Sequence, residues 1–258
     1  MLMLYFSGTG NSRYIAELFC GQTDAACHSI EEKIDFKVLI DAEDVIGFCY
    51  PVYFSSVPKM MRAFAAEHME ALKGKQVIIF CTQFMLSGYG SRKFVFLFPK
   101  GHVDVIYTAH FFMPNNMPDV PVLPISSDKG IEKSLARAEK KMETVCRNIR
   151  DGKVKKRGFS PAAHLLGLLQ STSMGAMERR ANRAVSIDSD CTKCGLCLTI
   201  CPMDNFSMDA QGVRHNHNCT MCYRCINVCP EKSISVLLSG KIKRQYQGIP
   251  SLRGGSHG

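Results

Sequence analysis

Two stretches decide the fold of the C-terminal part of this chain: Cys191-x-x-Cys194-x-x-Cys197-x-x-x-Cys201-Pro202 and Cys219-x-x-Cys222-x-x-Cys225-x-x-x-Cys229-Pro230. They repeat one spacing of four cysteines and a proline, 28 residues apart. Three thiolates at this spacing can surround one face of a four-iron cluster within a single loop. The proline after the fourth cysteine stops the short helix that precedes it. The spacing therefore predicts two iron–sulfur sites.

Both runs resemble the motif that holds [4Fe–4S] clusters in bacterial two-cluster ferredoxins. In that family the fourth cysteine of each run binds the other cluster, so the resemblance implies two crossed ligand sets. The sets are Cys191, Cys194, Cys197 with Cys229, and Cys219, Cys222, Cys225 with Cys201. Zinc is the first alternative, because pairs of cysteines at this spacing also bind zinc. A zinc site needs only four ligands, however. It would not explain why both runs have three evenly spaced cysteines followed by a Cys-Pro pair.

Composition bounds the rest of the chain. With 258 residues, it has room for one α/β domain and a small second domain. Five of the 13 cysteines lie outside the two runs, mostly in apolar stretches, as buried free thiols do. Free thiols and oxygen-sensitive clusters argue against a disulfide framework and predict a cytoplasmic location. We expect no signal peptide and no membrane span, because no apolar run is long enough.

The net charge of +9 is concentrated in two segments. Residues 151–185 carry seven basic and two acidic side chains, and the tail from residue 239 carries four basic ones. No aromatic interleaving or nucleic-acid module accompanies them, so we do not predict nucleic-acid binding. A solvated linker and the steering of an acidic redox partner, such as an acidic ferredoxin or flavodoxin, are the interpretations that remain.

A second motif begins at the N-terminus, where the apolar segment Met1–Phe6 predicts a buried strand. A loop of small residues follows and leads into a helical pattern. Helix N-terminal amides and hydroxyl groups converge on an anion at such a junction, and glycines let the backbone approach it closely. The three hydroxyls of this loop suit a terminal phosphate. The candidate phosphate-binding residues are Ser7, Gly8, Thr9, Gly10, Asn11 and Ser12.

Two other phosphate-binding motifs fit this loop less well. A Walker A loop requires a lysine that is missing here. A dinucleotide-binding fingerprint requires a third glycine, and Arg13 stands in its place. The hydroxyl groups therefore favour a phosphate monoester over a dinucleotide.

The pattern Ser-x-Thr-Gly-x-Ser resembles the phosphate loop of flavodoxins, which bind FMN. Two later apolar strands, Val45–Tyr50 and Gln76–Cys81, end in loops that match, in order, the flavodoxin loops flanking the flavin ring. The resemblance implies an α/β fold with a doubly wound parallel sheet of order 2-1-3-4-5. In that fold, FMN lies outside the carboxyl ends of the strands.

Candidates for contacting the ring lie in these two later loops. They are Pro51, Val52, Tyr53, Phe54, Thr82, Gly88, Tyr89 and Gly90. Either Tyr53 or Tyr89 is a candidate for stacking on the flavin, and both are equally consistent with ordinary partly buried aromatic residues. Backbone amides of the same loops are the better candidates for the polar edge of the ring.

The pattern predicts four segments: a flavodoxin-like domain over 1–150, a basic, partly helical linker over 151–185, an α+β two-cluster ferredoxin domain over 186–238, and a mobile tail over 239–258. A strand near Val103–Ala109 and a helix over Asp128–Arg150, capped by Asp128, would complete the first domain. A hairpin is expected after each cysteine run, with Gln211-Gly212 as the first turn. The linker also contains an apolar cluster, which would either form a helix packed between the domains or make a homodimer contact. This cluster comprises Leu165, Leu166, Leu168 and Leu169.

As a whole, the chain resembles flavodoxin–ferredoxin fusion proteins of anaerobic bacteria and archaea. The resemblance implies an electron-transfer flavoprotein with FMN and two [4Fe–4S] clusters in series. Two functions remain open: a carrier between redox proteins, and a flavin-dependent reductase of a small substrate. We favour the carrier, because no general acid–base pair and no nicotinamide-binding motif stands out.

Overall fold

The N-terminal domain is built on one parallel sheet. This computed structural model describes residues 1–53, 56–85, 88–163, 165, 176, 179–238 and 240–252. The strands are β1 (Leu2–Tyr5), β2 (Ala26–Ser29), β3 (Val45–Pro51), β4 (Gln76–Gln83), β5 (Asp104–Phe112) and β6 (Lys155–Lys156). Their order is β2-β1-β3-β4-β5-β6, so the predicted flavodoxin-like order of the first five strands is confirmed. The short β6 adds a sixth strand from within the predicted linker.

Helices cover both faces of this sheet. They are α1 (Asn11–Thr23), α2 (Phe36–Asp41), α3 (Lys59–Glu67), α4 (Gly90–Val95) and α5 (Asp128–Arg150). Side chains alternate between the faces along each strand, so in β3 Phe48 packs toward α2, α3 and α4 while Cys49 packs toward α1 and α5. A parallel sheet covered on both faces explains why its strands are continuous apolar runs.

The long helix α5 has the predicted bounds but a different N-cap. The hydroxyl of Ser127, in extended backbone, accepts a hydrogen bond from the Gly130 amide at 3.2 Å. Asp128 instead occupies the first turn, where its negative charge favours the positive end of the helix dipole. The predicted cap was therefore one residue too late.

The cysteine-rich domain contains short elements around the two cysteine runs. They are β7 (Ser186–Ile187), α6 (Leu196–Ile200), β8 (Phe206–Met208), β9 (Val213–His215), α7 (Arg224–Val228) and β10 (Ile234–Ser235). The first predicted hairpin is confirmed as β8 paired with β9. The second is wrong, because β10 pairs antiparallel with β7. One oxygen of Asp119 accepts the amides of Val236 and Leu237 at 2.8 and 2.7 Å, which directs the chain toward the N-terminal domain.

The tail is packed over residues 240–252, contrary to the predicted mobility. Its apolar side chains Ile242, Tyr246 and Ile249 are buried, while its basic side chains stay exposed. The Tyr246 hydroxyl donates to Asn11 Oδ1 at 2.7 Å, and Leu252 packs with α1. Ile249 and Leu252 thus fasten the end of this segment to the N-terminal domain, whereas Ile242 packs into the core of the cysteine-rich domain.

Two further predictions concern the linker and membranes. Leu166, Leu168 and Leu169 of the apolar group lie outside the described residues, and Leu165 is exposed. Within the described part of the chain, no helix combines the length and apolar character that crossing a bilayer requires.

Candidate cofactor sites

The first cysteine set meets around a cavity in the cysteine-rich domain. Three thiols of the first run line this cavity together with the last cysteine of the second run; these are Cys191, Cys194, Cys197 and Cys229. The thiols differ in exposure: Cys194 is exposed, whereas Cys197 and Cys229 are buried. The fold therefore brings together the residues of one crossed set.

The second cysteine set is more deeply buried. The thiol of Cys225 has its pKa raised well above the usual range, first by burial and then by the nearby Cys222, Cys219 and Cys201. Burial likewise raises the pKa of Cys219 to about 11 and that of Cys222 to about 12. These thiols stay protonated near neutral pH until a metal binds, because coordination deprotonates a thiol outright.

Across the described residues, no group of three or more histidine, cysteine, aspartate or glutamate side chains converges on a point where one metal ion would bind. The four cysteines of the first set instead line one cavity together.

The predicted phosphate loop lies between β1 and α1. Gly10 is the N-cap of α1 with a φ of 95°, a conformation that suits glycine. Its amide donates to Ser7 Oγ at 3.1 Å, so the Ser7 hydroxyl proton remains available to an anion. Thr9 Oγ1 likewise accepts from Asn116 Nδ2 at 2.9 Å and keeps its own proton. The first amides of α1 have no partner within the helix.

A cavity of about 430 Å³ opens beside this loop and is lined by residues 7–10 together with Arg224 and the tail. Hydroxyl protons and helix amides beside a cavity of this size fit the phosphate group of a flavin nucleotide. A phosphate at this position would also lie at the positive end of the α1 dipole.

Two predicted phosphate-loop side chains have other partners. Ser12 is 1% exposed, and its hydroxyl shares a hydrogen bond of 2.7 Å with Thr82 Oγ1 at the end of β4. The Asn11 amide donates to the Pro114 carbonyl at 2.9 Å, while its oxygen accepts from Tyr246. These side chains fix the loop against its neighbours, which leaves their backbone amides for an anion.

The two loops predicted to flank the flavin ring, here called the ring loops, follow β3 and β4 and lie side by side at the carboxyl ends of these strands. Pro51 pairs with Thr82, and the Val52 amide donates to the Thr82 carbonyl at 2.9 Å. A Cβ at Gly90 would lie 2.7 Å from a Val52 methyl group, so glycine allows this close packing. Gly88 has a φ of 47°. Phe54 lies outside the described residues.

The two stacking candidates have different surroundings. Tyr89 is 1% exposed, and the Lys93 ammonium lies 5.3 Å from its ring centroid. Tyr53 packs against the core of the cysteine-rich domain. Burial, followed by the nearby Cys222 and Cys219, raises the pKa of the Tyr53 phenol well above its usual range. Tyr53 therefore brings its own loop into contact with the core of the cysteine-rich domain.

Buried polar atoms without partners accompany Tyr53. Among the described residues, the hydroxyls of Tyr53 and Tyr223 and the Oδ1 atom of Asp119 are buried without a hydrogen-bond partner. Tyr53 and Asp119 both lie near enough to Tyr223 to raise the pKa of its phenol, after burial itself. Buried polar atoms are normally paired. Such a group fits a ligand with a polar edge, as the flavin ring has.

Arg224 connects the two domains and was not identified from the sequence. Its guanidinium donates to the carbonyls of Ser7 and Gly8 at 2.9 and 3.1 Å, and to both oxygens of Glu31 at 2.9 and 2.8 Å. Beside it, a Cβ at Gly8 would overlap the Cys222 carbonyl oxygen, so Gly8 allows direct backbone contact between the domains. Arg224 occupies a variable position within the second cysteine run. Comparing the two runs for differences would have drawn attention to it.

A chain of amide side chains also crosses the interface, and it too was missed. Asn116 donates to Thr9, and Asn227 of α7 donates to the Asn116 carbonyl at 2.8 Å. Asn227 in turn accepts the Tyr246 amide at 2.8 Å, and the Tyr246 hydroxyl returns to Asn11. The phosphate loop, the cysteine-rich domain and the tail are thus linked by one hydrogen-bonded network. Isolated asparagines carry no sequence signal for such a role.

Two family profiles match separate segments of the chain. A family profile described as a flavodoxin domain matches residues 2–96, and one described as a 4Fe-4S dicluster domain matches residues 183–230. No curated protein matches the chain.

Several solved structures are similar to the N-terminal part. A WrbA-like flavodoxin from Agrobacterium tumefaciens is 18% identical, with 59% of this chain and 98% of that chain covered and a TM-score of 0.39. General stress protein 14 from Treponema denticola, solved in complex with FMN, is 13% identical, with coverage of 57% and 97% and a TM-score of 0.44. The two-electron reduced flavodoxin of Megasphaera elsdenii is 23% identical, with coverage of 55% and 99% and a TM-score of 0.35.

The two matched families account for the two halves of the fold, and each implies a cofactor. A flavodoxin domain implies FMN, and a 4Fe-4S dicluster domain implies iron–sulfur clusters. The chain is therefore a fusion of an N-terminal flavodoxin domain with a C-terminal 4Fe-4S dicluster domain, and thus an electron-transfer flavin and iron–sulfur protein.

Proposed function

We propose that this protein is an electron carrier in which two [4Fe–4S] clusters and one FMN form a single path between redox proteins. Each cluster takes one electron and FMN takes two, so the bound cofactors convert between one- and two-electron steps. The observation that carries the proposal is the direct contact between the domains. The Cys222 backbone touches the phosphate loop at Gly8, and Tyr53 of a ring loop packs into the iron–sulfur domain.

FMN would be held at its two ends by different groups of this chain. The hydroxyls of Ser7 and Thr9 and the backbone amides of residues 8–12 would donate to the phosphate. The loops of Pro51–Tyr53 and Gly88–Gly90, with Thr82 between them, would flank the ring. Tyr53 is the preferred stacking residue, because its ring lies at the domain interface whereas Tyr89 is packed beneath Lys93.

The clusters would be held by the crossed cysteine sets. Cys229 lines the cavity of the first run, and Cys201 lies close to Cys225 of the second run. Both placements support the exchange of the fourth ligand between the two runs. No general acid or base of this chain is assigned a role in the transfer, because the electrons move without bond chemistry on a substrate.

The redox partner is proposed to be acidic. Arg179, Arg180 and Arg183 are exposed around one recess of about 360 Å³, just before the iron–sulfur domain. Ala181 and Val185 of the same segment are buried in the core of that domain, which holds the arginines beside it. A positive patch next to a redox centre would speed the encounter with a negatively charged partner.

Cofactor content and phosphate recognition test the proposed sites. Anaerobically prepared protein is expected to contain about eight iron atoms and about eight sulfides per chain, with one FMN. Replacing both Ser7 and Thr9 by alanine removes two charge-assisted hydrogen bonds, so FMN should bind more weakly by about 1.5–3 kcal/mol for each. Riboflavin, which lacks the phosphate, should lose little. Isothermal titration of both ligands measures the difference.

Thr23→Ala is the matched control, since the Thr23 hydroxyl donates to Phe19 at the far end of α1. It should leave both affinities unchanged. Equal losses of FMN and riboflavin in the double variant would show that the loop supports the fold without recognising phosphate. Stoichiometric zinc without sulfide would refute the cluster assignment.

The carrier role is tested by the acceptors that reoxidise the reduced protein. In anaerobic stopped-flow experiments, we expect fast reoxidation by acidic redox proteins and slow reoxidation by small organic acceptors. The fast rate should fall as salt rises past about 0.1 M, where the Debye length is ~10 Å and surface charges are screened. Fast, salt-independent reoxidation by a small acceptor would indicate a flavin-dependent reductase instead.

A further inference from the structure

We propose that the two clusters have fixed and different places in the electron path. The second cluster adjoins the flavin ring, and the first cluster faces the redox partner. Here the first cluster is that of Cys191, Cys194, Cys197 and Cys229, and the second is that of Cys219, Cys222, Cys225 and Cys201. The inference rests on the proposed function and adds the order of its cofactors: redox partner, first cluster, second cluster, FMN.

Equivalent positions of the two cysteine runs differ in burial. Cys194 is exposed, whereas its counterpart Cys222 is 7% exposed and belongs to the apolar core of the flavodoxin domain. Thr192 is exposed, whereas its counterpart Thr220 is 3% exposed. The internal symmetry of the iron–sulfur domain is therefore broken by docking, and the second run is the docked one.

The side chains that make the contact occur in the second run alone. Arg224 holds the Ser7 and Gly8 carbonyls, and its counterpart in the first run is the exposed Leu196. Asn227 donates to the Asn116 carbonyl, and its counterpart is Thr199, whose hydroxyl donates within its own helix. The two runs thus share their cysteines and differ at the positions that determine which one faces the flavodoxin domain.

The ring end of the flavin site identifies the adjoining cluster. Val52, beside Tyr53 in the loop proposed to flank the ring, packs against the apolar core that contains Cys222 of the second set. Cys229 of the first set also lies beside the phosphate cavity. That cavity is at the phosphate end of the proposed FMN site, which is the end of FMN opposite its redox-active ring. The second cluster is the one next to the redox-active ring.

The first cluster has the open side. Thr192, Lys193 and Cys194 are exposed in succession, and Leu196 is 38% exposed. A partner protein can therefore approach the first cluster without displacing any part of the flavodoxin domain. An electron entering there reaches FMN through the second cluster.

Fluorine NMR of a flavin analogue measures this order without an activity assay. Full-length protein is loaded with 8-fluoro-FMN and fully reduced, so that the two-electron-reduced flavin is diamagnetic and each one-electron-reduced cluster is paramagnetic. The fluorine line on the ring then broadens according to the distance of the nearest reduced cluster. Cys197→Ala and Cys225→Ala are a matched pair, since both cysteines are buried and occupy equivalent positions of the two runs. Each variant should keep about four of eight iron atoms.

We expect the line to stay as broad as in the unaltered protein when the first cluster is removed by Cys197→Ala. It should become sharp when the second cluster is removed by Cys225→Ala. The reverse pattern, or equal widths in the two variants, would overturn the order while leaving the proposed cofactors intact. Unaltered protein without clusters or FMN would overturn the proposed function and the order together. Should one variant fail to fold, Cys197→Ser and Cys225→Ser at the same two buried positions provide the comparison.

Discussion

Replacing Arg224 by methionine should weaken the attachment of the two domains more than any exposed charge replacement. Methionine keeps an unbranched apolar side chain of similar length but removes all five donors. The lost partners are the carbonyls of Ser7, Gly8 and Ile200 and both carboxylate oxygens of Glu31. Because the Arg224 and Glu31 side chains are only 19% and 23% exposed, water replaces these bonds poorly.

The expected cost is about 3 kcal/mol. Removing one member of a buried ion pair costs about 3–5 kcal/mol, and the residual exposure of this pair places it at the lower end of that range. Anaerobic urea unfolding, followed by far-ultraviolet circular dichroism, measures the change. With a slope of roughly 3 kcal/mol per molar urea for a chain of this size, the midpoint should fall by about 1 M.

Arg214→Met is the control on the same domain. Arg214 forms an ion pair of 3.0 Å with Asp209, but the two side chains are 61% and 41% exposed, so its loss should cost less than about 1 kcal/mol. In a Glu31→Gln background, Arg224→Met should cost less than it does alone, because the two residues share one network. Equal midpoints for Arg224→Met and Arg214→Met would refute the view that this guanidinium holds the domains together.

Two further changes probe the interface and the sheet. Gly8→Ala should destabilise the protein by roughly 1–3 kcal/mol, because the new Cβ meets the Cys222 backbone. Gly21→Ala, with open space around it in α1, should stabilise by about 0.5–1 kcal/mol; urea midpoints that move in the same direction would contradict the proposed contact. Burial, aided by the charges of Arg157 and Lys141, lowers the pKa of His110 to about 3. The folded protein therefore keeps this imidazole neutral, whereas the unfolded chain protonates it below about pH 6.5. The free energy of unfolding should therefore fall as pH drops from 6.5 toward 3, by up to about 1.4 kcal/mol per pH unit. His110→Gln should remove that part of the pH dependence. An unchanged pH dependence in urea titrations of this variant would show that His110 does not titrate on unfolding.

Local patterns in the sequence were sufficient for the sheet and for the position of each motif. The strand order was implied by the resemblance to flavodoxins, and the loop proposed to bind phosphate was predicted from small residues between a strand and a helix. Each of these features depends on residues that are neighbours in the chain, where the physical constraint is short-range.

The interface could not be predicted in the same way. Arg224 and Ser7 are separated by 217 residues in the chain, and nothing near either residue indicates the other. The tail was predicted to be mobile because it is basic and rich in glycine at its end. Its buried residue Ile242 packs into the core of the cysteine-rich domain, Ile249 packs with α1, and the Tyr246 hydroxyl bonds to Asn11. Local sequence patterns therefore carry no information about contacts between residues that are far apart in the chain.

The contact between Arg224 and the phosphate loop has a consequence for how FMN is held. In a trans peptide the carbonyl and the amide point in opposite directions, so a peptide unit fixed at its oxygen is also fixed at its N–H. Arg224 binds the oxygens of Ser7 and Gly8 and thereby orients the amides of Gly8 and Thr9 away from the iron–sulfur domain. A guanidinium bound to the oxygens and a phosphate bound to the amides would polarise these peptides in the same sense, which would strengthen both interactions. If FMN binds at the proposed phosphate loop, its binding and the docking of the iron–sulfur domain would therefore stabilise one another.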